Sequence, residues 1–351
     1  MASIDRFGWI APGPKRAAGH KYKRMNDLSK DAVNRLAVGE DGDGQRVDNF
    51  LQKILKGVPK SHIYRILRSG EVRVNRRRVA PDTRLAVGDL LRIPPIRAAA
   101  PADGKRAAPL PGQVAIPPIL FEDDALIALD KPAGLAVHGG SGISFGVIER
   151  LRHARPEAKF LELVHRLDRD TSGVLLIAKK RAALIGLHAQ LREGRVDKRY
   201  YVLVRGRWGD PVRKVRLALE TYVTQEGERR TRVDREGRAA CTIFRRVKVW
   251  SSAEPPVALL EAELETGRTH QIRVHLTHLG YPLAGDDKYG DFSWNKALAK
   301  QGLKRMFLHA HRIAFTHPIG EKSIAIESPL APDLARFVAR LDAADAGHAD
   351  G

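Results

Sequence analysis

Between positions 47 and 55, the apolar residues Val47, Phe50, Leu51, Ile54 and Leu55 recur at i, i+3, i+4, i+7 and i+8. That spacing puts them on one face of a helix. Gly57 and Pro59 end it. Ser61 is placed to cap a second helix, with Ile63, Ile66 and Leu67 facing inward and Gly70 as the stop. The period then falls to two. Val72 and Val74 alternate with Arg73 and Asn75. Leu85 and Val87 lead through a Gly88-Asp89 turn to Leu91 and Ile93, which predicts a short antiparallel sheet. Farther on, Ile119-Leu120-Phe121 and Leu126 to Leu129 flank the acidic turn Glu122-Asp123-Asp124, a hairpin pattern. Val174 to Ala178 is an unbroken apolar run between turn residues, which reads as a buried strand. Thr269 is placed to cap a helix that carries Ile272, His275, Leu276 and Leu279 on one face and ends at Gly280.

These patterns divide the chain. Residues 1–44 hold Gly, Ala, Lys and Arg without sustained periodicity and are expected to be a disordered basic tail. Residues 45–94 form a small domain. Residues 95–115 are a linker, because the stretch from Pro94 to Pro118 carries Pro and Gly too densely for helix or sheet interiors. Residues 116–341 form a large domain, and residues 342–351 a second disordered tail. Two or three domains suit 351 residues at roughly 150 each.

Charge sharpens this picture. The chain has 61 Lys+Arg against 41 Asp+Glu, a formal net charge of +20. A protein this basic is expected to meet a polyanion. No run approaches the ~18 apolar residues of a spanning helix, so a membrane is not the expected partner. The start has no apolar signal-peptide core. A single cysteine, Cys241, excludes an internal disulfide framework and fits a reducing compartment. The charge is concentrated: Arg46 to Arg97 holds 13 Lys/Arg and 4 Asp/Glu, a net +9. Arg65 and Arg68 share a helix, and Arg73, Arg76, Arg77 and Arg78 follow at once, a set able to track a phosphate backbone.

The large domain carries the chemistry. The segment LVHRLDRDTSGVLLIAKK, Leu163 to Lys180, sets Asp168 and Asp170 in a polar turn just ahead of the buried strand. Its spacing imitates the start of a calcium loop, but position 12 is Lys179, where an EF-hand needs Glu. Two readings stay open from the residues alone: a self-capped Asp turn, or a carboxylate presented at a strand mouth among arginines. The Gly-rich loop after His138 lacks the lysine of a phosphate-binding loop, and no dinucleotide fingerprint opens a helix. No nucleotide cofactor is therefore expected. His270, His275, His278, His309 and His311 raise the question of metal, but without acidic or cysteine company no metal site is expected.

Two resemblances bear on these alternatives. RVDNFLQKILKGVPKSHIYRILRSGEVRVNRRR, Arg46 to Arg78, resembles the S4 RNA-binding domain. HRLDRDTSG closely resembles the signature of the RluA-type pseudouridine synthases. KPAGLAVH (131–138), the Lys198–Val204 strand, LETGRTHQIRVHLTHLGYPLAGDDKYG (264–290) and LHAHRIAFTHP (308–318) resemble its other motifs. The resemblance implies an α+β protein, a small S4 module plus a catalytic domain with a mixed, mainly antiparallel sheet and flanking helices. It implies isomerisation of uridine to pseudouridine with Asp168 as catalytic residue. Tyr200 is expected against the base, Arg268 as the partner that keeps Asp168 ionised, and Arg166 and His165 in support. The implied RNA-binding set is Lys60, Arg65, Arg68, Arg73, Arg76, Arg77, Arg78, Lys131, Arg169 and Gln271. The implied partner is 23S rRNA or a large-subunit precursor, in the cytoplasm. Two alternatives remain open: the same chemistry on tRNA, or a non-catalytic S4-type RNA-binding protein.

Overall fold

A computed structural model describes residues 32–39, 42–55, 58–96, 115–139, 145–225 and 227–349. The chain divides into two compact units, Met1–Lys105 and Arg106–Gly351.

The small unit runs β1 (Asn34–Ala37), α1 (Val47–Ile54), α2 (Lys60–Arg68), β2 (Arg73–Val74), β3 (Arg77–Arg78) and β4 (Leu90–Ile93). Its antiparallel sheet has the order β1-β4-β2-β3. Phe50 and Leu51 of α1 meet Ile63, Ile66 and Leu67 of α2 over Leu91 and Ile93. Asp48, 2% exposed, ties the helices together by accepting hydrogen bonds from Arg46 and the Tyr64 hydroxyl.

Three expectations are corrected here. The last part of the supposed tail is ordered: β1 pairs with β4, and Leu36 and Val38 enter the core. Four residues of alternation were too short to read as a strand. Leu85, expected in a strand before the Gly88-Asp89 turn, lies outside any strand, its backbone bonded to Gly44 and Gln45; β4 pairs with β2, and β2 with β3 through an Asn75-Arg76 turn. Both turn residues have positive φ, as a tight type I′ connection requires. Finally, α2 starts at Lys60 with Pro59 at its N-cap, so Ser61 lies inside the first turn and caps nothing.

The large unit begins with the hairpin β5 (Ile119–Glu122) and β6 (Leu126–Lys131), turning at Asp123-Asp124 as its pattern predicts. Then come α3 (Val147–Ala154), β7 (Glu162–Leu163), β8 (Ser172–Ala178), α4 (Arg181–Arg192), β9 (Asp197–Arg205) and β10 (Val212–Arg216). The hairpin β11 (Leu219–Val223) and β12 (Arg229–Val233) follows, then β13 (Cys241–Trp250), β14 (Val257–Leu264), α5 (Gln271–His278) and α6 (Phe292–Lys300). The unit closes with β15 (Leu308–Thr316), β16 (Ser323–Glu327) and α7 (Pro332–Ala349).

Eight strands run β10-β13-β14-β9-β15-β8-β6-β5, with β16 on β15 and β7 on β8. Every pairing is antiparallel except β8 with β15, which is parallel and limited to two residue pairs. Gly173 makes that junction possible. Its φ is +108°, and a Cβ there would lie 2.2 Å from the Ala310 carbonyl oxygen. Both faces of the sheet are covered. Leu175 and Ile177 of β8 pack with Val147, Ile148 and Leu151 of α3, whereas Val174, Leu176 and Ala178 meet Ala183 and Leu187 of α4. Hence β8 is buried throughout, and from Val174 to Ala178 it is apolar.

The C-terminal tail is a second correction to the domain bounds. α7 continues to Ala349, so most of residues 342–351 is helical. Leu334 and Phe337 anchor it beside Trp250 and Trp294, and Asp342 accepts from Trp250 Nε1 at 2.8 Å. The Ala-rich composition that resembled a frayed end is equally that of a good helix. No helix among the described residues is long and apolar enough to cross a membrane.

Candidate active site

Asp168 sits in the turn that feeds β8, closed by a Thr171 N–H to Asp168 carbonyl bond of 3.2 Å. The turn is held from beneath by the 131–138 segment. Lys131, at the end of β6, is fully buried, and its Nζ donates to the carbonyls of Pro132 (2.8 Å), Leu135 (2.8 Å) and Arg169 (2.9 Å). Gly134 N–H donates to that same Arg169 carbonyl. Burial draws the lysine down to about 7, opposed by the charges of Asp170 and Asp168. Lys131 therefore clamps the Asp168 turn from inside, and its expected place among RNA contacts is corrected.

The partner of Asp168 is also corrected. Arg268 is exposed and donates from Nε to the Ala239 carbonyl at 3.1 Å. Arg273, in the first turn of α5, places Nη1 3.3 Å from Asp168 Oδ2. The reason lies in the helix. Residues 271–276 are all buried, so α5 has no wet face on which to put a charge. Arg273 is 5% exposed at its side chain and is balanced by Asp286, 0% exposed, through bonds of 2.7 and 2.6 Å from Nε and Nη2. Asp286 in turn accepts from the Lys288 and Tyr289 backbone N–H groups. Burial works against both charges. Their mutual pairing outweighs it, holding the carboxyl of Asp286 below and the guanidinium of Arg273 above their ordinary values. Arg273 also lies over the Tyr289 ring, 5.0 Å from its centre.

α5 starts at Gln271, with His270 rather than Thr269 at its N-cap. His270 is in the left-handed region, φ +55°, with Nε2 3.8 Å from Asp168 Oδ2. Both Arg273 and His270 thus approach Oδ2. Oδ1 has no hydrogen-bond partner among the described residues. These groups open onto a cleft of about 700 Å³ lined by Asp168, Tyr200, Arg268, His270, Arg273 and Leu308 among others. Tyr200, on β9, is 8% exposed, and burial together with the charge of Asp168 raises its phenol pKa.

The remaining expected residues separate. Arg166 is exposed and lines the cleft. His165 lines it too, but its Nε2 accepts the Leu176 N–H at 3.1 Å. Burial and Lys198 lower it to about 4, so it is a neutral support for β8. Arg169 is exposed and pairs with Asp170. Gln271 is 2% exposed and bonded to Cys241, Thr242, Thr266 and Arg268, so its expected RNA contact is corrected to an internal brace. In the small unit Arg65, Arg68, Arg73, Arg76, Arg77 and Arg78 are all exposed. The side chain of Lys60 lies outside the described residues. His275 binds Thr242 and the Leu217 carbonyl, His309 binds Ser172 and Ser328, and His311 binds Glu261. Among the described residues no group of three or more His, Cys, Asp or Glu could hold a metal ion.

Arg273, Asp286 and Tyr289 escaped the sequence reading, and His270 was weighed there only as a metal ligand. One signal was available: Arg273 stands between Ile272 and Val274 in a helix with little polar surface, thirteen positions before the acidic pair Asp286-Asp287.

A cleft around an ion-paired carboxylate and a separate unit with a basic surface point to a class, an RNA-modifying enzyme. Comparison with known proteins names it further. A family model described as RNA pseudouridylate synthase matches residues 125–278, and the S4 domain model matches residues 45–91. The chain is 50% identical over 313 residues to ribosomal large subunit pseudouridine synthase C of Escherichia coli (strain K12), covering 88% of this chain and 97% of that protein. It is 48% identical over 325 residues to the protein of the same name from Pasteurella multocida (strain Pm70), covering 91% and 97%. The structure of human RNA pseudouridylate synthase domain containing 4 superposes with a TM-score of 0.51 at 24% identity, covering 64% of this chain and 92% of that one, a likeness of fold. The chain belongs to the RNA pseudouridine synthase family and carries an S4 domain.

Proposed function

We propose that this protein isomerises specific uridines of 23S rRNA, or of its large-subunit precursor, in the cytoplasm, with Asp168 as the catalytic residue. The observation that carries the reading is the Asp168–Arg273 pair at the mouth of the cleft. A buried cation fixed by Asp286 holds one carboxylate oxygen, Oδ2, and leaves Oδ1 toward the reaction. The rRNA assignment rests on the relatives' names and on the S4 unit, whose exposed arginines suit a folded RNA backbone.

In the reaction the target uridine leaves its stack, at about a few kcal/mol. The N1–C1′ bond breaks, the uracil turns, C5 bonds to C1′, the C5 proton departs and N1 gains a proton. Atoms balance without a redox partner or group donor. Asp168 acts as nucleophile or base through Oδ1. Tyr200 lies against the base, and its raised pKa keeps the phenol protonated. Arg166, in the lining of the cleft, and the exposed Arg169 take phosphates.

Tritium release from [5-³H]uridine-labelled transcripts tests this. Wild type is expected to release tritium from 23S rRNA and not from tRNA. Asp168→Asn is expected to bind the same RNA but lose roughly 10²–10⁴-fold in rate. Release from tRNA alone would transfer the substrate assignment. Binding without release by either protein would favour a non-catalytic RNA-binding role.

A further inference from the structure

The β11–β12 hairpin stands outside the ten-stranded sheet. Leu219 and Val233 anchor it against Val274 and Tyr289, beside the site. Its backbone reaches toward Asp168 through two side chains. Thr231 N–H donates to the Tyr289 hydroxyl oxygen at 2.9 Å, that hydroxyl lies 2.8 Å from His270 Nδ1, and His270 Nε2 faces Asp168 Oδ2 at 3.8 Å. The direction of the first bond is fixed, because a backbone N–H can only donate. The phenol oxygen is therefore an acceptor on that side, and its own hydrogen is free to point at Nδ1. A neutral imidazole that accepts at Nδ1 carries its proton on Nε2. Burial favours that neutral form by lowering the imidazole pKa.

We propose that Tyr289 and His270 are positioning residues that set Asp168 from the hairpin: Tyr289 fixes His270 as the Nε2–H tautomer, which presents an N–H to the carboxylate oxygen that Arg273 also holds. The opposite tautomer would turn a lone pair toward the anion. The strained backbone of His270 supports the assignment. A histidine at φ +55° is uncommon and persists where its surroundings hold it, and here it aims one ring nitrogen at Tyr289 and the other at Asp168. The 3.8 Å gap is longer than a hydrogen bond and closes when substrate seats Asp168, as such contacts do in catalysis.

The kinetic part of this proposal rests on the pseudouridine synthase reading, so the test has one arm that needs no RNA. Two-bond ¹H–¹⁵N spectra assign the His270 tautomer, with the resonance identified by its loss in His270→Gln. Wild type is expected to show Nε2–H, and Tyr289→Phe to lose that single tautomer while the Phe ring still lies under Arg273. In turnover, Tyr289→Phe is expected to lower kcat about tenfold with RNA KM unchanged. His270→Gln supplies an amide N–H in place of Nε2–H and needs no tautomer. Adding Tyr289→Phe to that background is expected to cost less than about twofold. An Nδ1–H tautomer in the wild type overturns the proposal whatever the activity. So does an equal kcat loss in both backgrounds, or a change confined to KM. A wild type without turnover but with the Nε2–H tautomer would count against the functional reading and leave the relay standing.

Discussion

The two units put the same kinds of charge to opposite uses. In the S4 unit, Arg65, Arg68, Arg73 and Arg76 to Arg78 stand in water on α2, β2, β3 and the turn between the two strands. In the catalytic unit, the cations that matter are inside. Lys131 is enclosed by three carbonyls, and Arg273 is locked to Asp286 with almost no surface. The difference is one of dielectric. An exposed arginine interacts with a phosphate through screened, interchangeable contacts, whereas a buried one is stiff, must be paired, and fixes the position of whatever it touches. The proposed recognition is therefore distributed over many side chains, and the proposed catalytic geometry is concentrated in few.

Removing Arg273 is expected to have the largest effect. Arg273→Ala frees Asp168 and strands Asp286, a fully buried carboxylate, so it is expected to lower kcat roughly 10²–10³-fold and stability by about 3–5 kcal/mol. Thermal unfolding and single-turnover tritium release read the two losses. Arg273→Met combined with Asp286→Leu separates them, because deleting both charges restores much of the stability without restoring turnover. Arg268→Ala, at the position that sequence alone favoured, is expected to leave stability and kcat within about twofold. A kcat loss there as large as that of Arg273 would undo the assignment of the pair.

Lys131→Met comes next. It leaves the Pro132 and Leu135 carbonyls without a donor and the Arg169 carbonyl with the Gly134 N–H alone, and so loosens the turn that carries Asp168. A loss on the order of 3 kcal/mol in urea unfolding is expected, with kcat falling in step. Unchanged stability would show that the carbonyl cage does not hold the turn.

This contrast also explains what the chain disclosed before its structure. Surface functions are written in composition. The S4 arginines could be found by counting charge, and the helices under them by the spacing of Phe50, Leu51, Ile63 and Ile66. Asp168 was legible because the apolar strand behind it and the long motif around it are local in sequence. Its partner was not, because Arg268 and Arg273 lie five positions apart and only the burial of α5 tells them apart. Likewise Lys131 and Gln271 have polar side chains that sequence assigns to solvent. Only the carbonyls and amides that meet them in three dimensions place them inside. The ordered pieces at 34–37 and 342–349 were missed for a related reason: contacts with distant residues decide their order, β1 through β4 and the end of α7 through Trp250.

On the exposed side, Arg76→Ala, Arg77→Ala and Arg78→Ala together are expected to weaken RNA binding and to reduce the slope of log K against log salt by up to about 2–3. The stability change is expected to stay within about 0.5 kcal/mol per site. Saturating RNA is expected to recover kcat. If kcat stays low at saturation, these arginines reach beyond recognition, and the division between the units fails.

The smallest effect at neutral pH belongs to His165, and it sharpens the same division on a residue that looks catalytic. Its Nε2 accepts the Leu176 N–H, so a proton on that nitrogen would set two donors against each other. Folding holds the imidazole at about 4, against 6.5 when unfolded. Between those values the unfolded chain binds more protons than the folded one, so stability rises with pH across that window. The contribution is complete above about 6.5 and is lost as the pH falls toward 4, the loss amounting to about 2 kcal/mol at pH 5. His165→Gln accepts the same N–H through its side-chain oxygen and does not titrate. The difference in urea midpoint between variant and wild type is therefore expected to move in the variant's favour from pH 7 to pH 5. At pH 7.5 the variant is expected to keep kcat within about threefold, since the ring supports β8 and transfers no proton. A midpoint difference independent of pH would assign the acid sensitivity to other histidines. A collapse of kcat with stability intact would move His165 from the scaffold into the chemistry.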